Sequence, residues 1–101
     1  MLPPKIIKYL NEITEHINAG NEIVTQNEDT SVIVYFNDTS IIMRPTRPHQ
    51  TQQDYSAIDH IRLDILDKKL KNYTFGASVG DIGYEELNNL LDTVLAKDLE
   101  L

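Results

Sequence analysis

Three histidines, His16, His49 and His60, are the imidazoles of this sequence, and no cysteine accompanies them. A general base or a nitrogen ligand for a metal would have to come from this set. His16 lies one turn from Glu12, His49 sits in a polar run, and His60 falls in a segment of ambiguous structure. None has a second histidine or a carboxylate at the spacing of a metal motif such as H-E-x-x-H. Without cysteine, the sequence excludes disulfides, thiolate zinc sites and cysteine nucleophiles. An isolated histidine is more often a surface or boundary residue than a ligand. The expectation is therefore no catalytic residue, no metal and no cofactor.

Other patterns fail their own context tests. "GASVGDIG" places Gly76, Gly80 and Gly83 just before a helical stretch, where phosphate loops occur. The spacing is not G-x-G-x-x-G, no Lys-Ser/Thr pair follows, and Asp81 would repel phosphate. A turn, with Asp81 or Gly83 capping the last helix, is the better reading. The carboxylate pairs Glu28-Asp29 and Glu85-Glu86 fall at a hairpin tip and in a first helical turn. Acids are expected at both places without catalysis. Pro45-Thr46-Arg47-Pro48 has P-x-x-P form but lacks the large apolar residues of an SH3 ligand. A polar connection, stiffened by its prolines, accounts for "RPTRPHQTQQDY".

These residues need a scaffold, and 101 residues suffice for one domain with a modest core. Sixteen acids against nine bases give a net charge of −7. The charges are segregated. Tyr9 to Met43 holds Glu12, Glu15, Glu22, Glu28, Asp29 and Asp38 and no Lys or Arg. The bases gather at Lys5 and Lys8, at Arg44 and Arg47, and from Arg62 to Lys71. Such a surface disfavours direct nucleic-acid binding and attracts a basic protein. The apolar runs are far shorter than a membrane helix needs, and the first residues do not form a signal peptide. A cytoplasmic protein that does not enter a membrane is expected.

Residues 4–19 carry apolar side chains at Ile6, Ile7, Leu10, Ile13 and Ile17, one stripe of a helix. Pro3 and Pro4 suit its start and Ala19-Gly20 its end. Residues 21–44 read as a three-stranded antiparallel meander broken by "NEDT" and "NDT". In its middle strand, Val32, Val34 and Phe36 share one face, and Ile33 and Tyr35 share the other. A strand apolar on both faces is usually covered on both, by helices on one side and by more chain or a second molecule on the other. Residues 56–72 are ambiguous. Ile58, Ile61, Ile65, Leu66 and Leu70 fit a helix, whereas "HIRLDI" alternates as a strand does. Helix is preferred because "LDILDKKLKN" is rich in helix formers. A strand over "NYTFGASV" and a helix over 84–97 complete a single α+β domain.

Two functions follow. The first is a small acidic protein-binding module. It could be an inhibitor, an immunity protein or a phage or mobile-element factor that blocks a nucleic-acid enzyme by presenting carboxylates. Its candidate contacts are Glu12, Glu15, Glu28, Asp29, Asp38, Arg44 and Arg47, with a homodimer through Ile33 and Tyr35 as one expected state. The alternative is a ligand-binding domain or enzyme with a site near His49, Asp54 and His60.

Overall fold

The computed structural model describes residues 2–28, 30–46 and 59–98. It begins with helix α1 (Pro4–Asn18). Pro3 precedes the helix and Pro4 occupies its first position, where a missing N–H costs nothing. Leu10 and Ile13 of its stripe are buried, and Gly20, at φ +86°, ends the helix in the left-handed region.

Five strands follow: β1 (Val24–Asn27), β2 (Val32–Phe36), β3 (Thr39–Thr46), β4 (His60–Leu66) and β5 (Asn72–Ser78). They form one sheet in chain order, every neighbour antiparallel. Asn37 and Asp38 both take positive φ, 49° and 62°, and close β2 onto β3 as a two-residue turn matched to the strand twist. Helix α2 (Tyr84–Asp98) completes the fold, with Glu85 and Glu86 in its first turn and Lys97 in its last. Gly83 stands just before it at φ +96°, and a Cβ there would lie 2.7 Å from Leu2 Cβ. The carbonyl oxygen of Gly83 accepts from Leu87 N at 3.0 Å, the place of an N-cap residue, and the carboxylate of Asp81 accepts from Ser78 N at 2.9 Å and so closes the preceding turn.

Both helices pack on one sheet face. The core joins Leu10 and Ile13 of α1 and Leu87, Leu90, Leu91 and Val94 of α2 to Val34, Ile41, Met43, Ile61 and Leu63 of the sheet. Phe36 packs at its margin, half-buried. The α+β architecture with helical ends, a meander and a further strand is thus present.

Two boundaries differ from expectation. The helix preferred for 56–72 is a strand over His60–Leu66 (residues 56–58 lie outside the described residues). Neighbours decide this. Strand β4 lies between β3 and β5, which satisfy its backbone and reward the alternation of Ile61, Leu63 and Ile65 toward the core. Strand β3 also runs on through Arg44, Pro45 and Thr46, so "RPT" is sheet and not connection. Its pairing with β2 stops at Met43, and beyond it β4 is the paired neighbour, an edge setting that admits proline.

The helix formers of "LDKKLK" close the hairpin between β4 and β5. The Asp67 carboxylate accepts from Lys69 N at 2.9 Å and Lys71 N at 3.0 Å, and Leu70 N donates to Asp67 O at 2.9 Å. This turn holds Leu70 at φ +63° with 78% of its surface exposed. A leucine there carries backbone strain and gains little burial. Leu70→Asn should therefore raise stability by about 0.5–1 kcal/mol, because Asn tolerates the left-handed region. Thermal unfolding of the variant checks this, and a loss of stability would show that Leu70 makes a contact worth more than its strain.

Candidate functional site

The alternation that buries one sheet face presents the other. Register places its side chains in rows across the strands. One row runs Val24, Tyr35, Ser40, and the next Gln26, Ile33, Ile42, Asp64, Thr74. A further row sets Arg44 opposite Arg62. Among the described residues no helix lies over these rows. Val24 is 66% and Tyr35 40% exposed, and Ile33 and Ile42 are half-buried. An apolar strip thus crosses three adjoining strands.

A polar cluster borders the strip. Asp64 is 4% exposed although it lies on the helix-free face. Thr74 Oγ1 donates to its Oδ1 at 2.6 Å. Its Oδ2 accepts from Arg62 Nε at 3.2 Å and from Arg44 Nη1, so the two arginines cover the carboxylate. Burial alone would raise the Asp64 pKa, but the Thr74 hydroxyl and the charges of Arg62 and Arg44 outweigh it and hold the carboxyl below its ordinary range. On the other side of the strip, Tyr35 Oη donates to Gln26 Oε1 at 3.4 Å, and Gln26 Nε2 donates to Glu28 Oε1 at 3.0 Å. Glu28 therefore stands as a carboxylate at the rim.

The sequence-derived candidates are dispersed over this frame. Ile33, Tyr35, Glu28 and Arg44 come together on or beside the helix-free face. Glu12 and Glu15 are exposed on α1, in the helical layer. Asp38 lies at the opposite end of the sheet from Glu28. There it lines a groove with Lys68, Lys69 and Lys71, so its surroundings are cationic. Lys71 Nζ sits 5.2 Å from the centre of the Tyr73 ring at this end. Asp29, Arg47, His49 and Asp54 lie outside the described residues. Arg44 pairs within the molecule, as an arginine in an acidic domain is expected to.

The two described histidines both have partners within the fold. His16 packs edge-on against Phe36, ring centres 5.0 Å apart, and its Nε2 reaches Glu22 O at 3.4 Å. His60 Nδ1 lies 2.8 Å from Ser78 Oγ, and its ring fills the space beside Gly76, where a Cβ would sit 3.0 Å away. A groove of about 740 Å³ runs between the C-terminal ends of α1 and α2, and neither histidine lines it.

Asp64, Arg62, Thr74, Ile42 and Gln26 were not singled out from the sequence. The signal for Arg62 and Asp64 was present. In "HIRLDI", if Ile61, Leu63 and Ile65 face the core, then His60, Arg62 and Asp64 face away. No family model matches this sequence, and no curated protein or solved structure matches it either.

Proposed function

We propose that this chain is a small acidic protein-binding module that docks through the helix-free face of its sheet. The observation that carries the reading is the strip of Val24, Tyr35, Ile33 and Ile42 across β1, β2 and β3. Contiguous apolar surface of this kind is where soluble domains meet partners. Charge supports the same reading. A net charge of −7 attracts a basic surface and speeds encounter, and Glu28 is the candidate carboxylate that stands at the rim of this face. A nucleic-acid enzyme offers such a surface. Carboxylates placed where phosphates would lie make the chain an inhibitor, in the manner of an immunity protein or a phage or mobile-element factor. The role is binding and not catalysis.

The test is capture of partners by the purified chain, with and without changes on the strip. Tyr35→Ala and Ile33→Asp should each weaken capture at least tenfold, the scale of a central interface residue, while the fold persists. Raising salt should weaken the association further, because screening acts on opposite charges. Sedimentation identifies a second copy of the chain as the partner if the purified protein dimerises through this face. Undiminished binding by both variants would remove the face from the proposal. Binding that strengthens with salt would remove its electrostatic part.

A further inference from the structure

Asp64 holds two guanidinium groups on one carboxylate oxygen, with Thr74 on the other. Two cations sharing one anion leave the cluster with one net positive charge inside a domain of −7. The arginine side chains stay 43% and 57% exposed. A guanidinium has five N–H donors, so most of these donors remain outside the ion pair. Among the described residues no second carboxylate meets them.

Register sets where this charge lies. Arg44 and Arg62 face each other two residues beyond the Ile42–Asp64 pair, a step of roughly 7 Å along the strands. Ile33 lies beside Ile42 on the neighbouring strand, roughly 5 Å away, and Tyr35 follows two residues further in the opposite direction. Along the strands the face therefore reads apolar, apolar, cationic. Four helical residues rise roughly 6 Å, so a side chain four residues further along a helix falls within about 1 Å of that step.

We infer that the helix-free face receives an amphipathic partner helix, laid along the strands, whose apolar side chains sit over Tyr35, Ile33 and Ile42 and whose Asp or Glu, one turn further on, bridges Arg44 and Arg62. The inference rests on the protein-binding reading above and specifies its partner. A helix is the element that covers a sheet face, as α1 and α2 do on the other side. A carboxylate is the group the cations select. The planar guanidinium fork matches it, a base would be repelled, and an apolar side chain would strip water from donors without replacing it. The overall negative charge directs approach, while the local positive charge sets orientation and register.

A displayed library of amphipathic helical peptides tests this, with the position over the arginine pair randomised. It is selected in parallel against the wild-type chain and against Arg62→Glu. Arg62→Gln serves for affinities, since Asp64 keeps Arg44 and Thr74 and the melting temperature reports an intact fold. Peptides selected on the wild type should carry Asp or Glu at that position and lose about tenfold in affinity on Arg62→Gln. Those selected on Arg62→Glu should carry Lys or Arg. Suppose bound peptides shift the amide signals of Ile33 and Ile42, yet show no acid preference and no loss on Arg62→Gln. The inference is then overturned, while the docking face stands. If no peptide binds, or binders leave Ile33, Tyr35 and Ile42 unperturbed, the docking face falls and the inference with it.

Discussion

Leu91→Ala is expected to lower the free energy of unfolding by about 2–5 kcal/mol. Leu91 lies in α2 with no exposed surface, in one cluster with Leu10 and Ile13 of α1 and Val34 and Met43 of the sheet. Truncation removes the transfer energy of the lost atoms and leaves a cavity that both layers must collapse to fill. The result depends on α2 being half of the single helical layer. A domain of this size has roughly 5–15 kcal/mol in total, so the loss is a large share of it. Urea unfolding should show a lower midpoint with an unchanged slope. A loss under about half a kcal/mol, well below the usual cost for a buried leucine, would make α2 peripheral.

Asp64→Asn should cost about 2–3 kcal/mol near pH 7, through loss of charge-assisted bonds to a buried acceptor. The amide keeps the size of the side chain but cannot neutralise Arg44 and Arg62. The estimate is below that for a fully buried ion pair because both arginines reach water. The pH dependence has a definite sign. In the folded chain the carboxyl is held below its ordinary range, by the Thr74 hydroxyl and the two arginines against the opposing effect of burial. Its contribution is therefore fully present above the unfolded value, about 3.9, and is lost as pH falls through the folded value. The wild-type advantage over Asp64→Asn should be flat from about pH 5 to pH 8 and shrink below about pH 4. An advantage that stays constant down to pH 2, a range in which an ordinary carboxyl protonates, would mean that the negative charge contributes nothing.

Most elements were legible because their patterns have one physical solution. The stripe of α1, from Ile6 to Ile17, buries only as a helix, and Val32 to Phe36 alternates as only a strand does. The segment around "HIRLDI" has two solutions. Its residues satisfy a helical stripe and a strand alternation together, and helix propensity is the weaker of the forces that decide. The neighbouring strands β3 and β5 settled it by pairing with both edges of β4. The same misreading hid part of the candidate site. Arg62 and Asp64 share a face only in a strand, so a helical reading scatters them. Arg44 was legible as a candidate partner contact, but the carboxylate it pairs with, Asp64, lies 20 residues away in the chain.

By itself the sequence determined the composition of this protein's layers: two amphipathic helices at the ends, a meander between them, and a surface charge of −7. These follow from local periodicity and from counting, and neither requires knowledge of which elements touch. Only the tertiary structure decided that both helices cover the same sheet face. A strand with apolar residues on both sides announces two surfaces to be covered, but not which one the chain covers itself. Packing α1 and α2 together over Val34, Ile41 and Leu63 buries both stripes in one core and leaves Ile33, Tyr35 and Ile42 outside it. Register then brought Arg44, Arg62, Asp64 and Thr74 from three strands to one point beside that strip. Antiparallel pairing sets such neighbours through hydrogen bonds between distant segments, and residue spacing along the chain does not encode it.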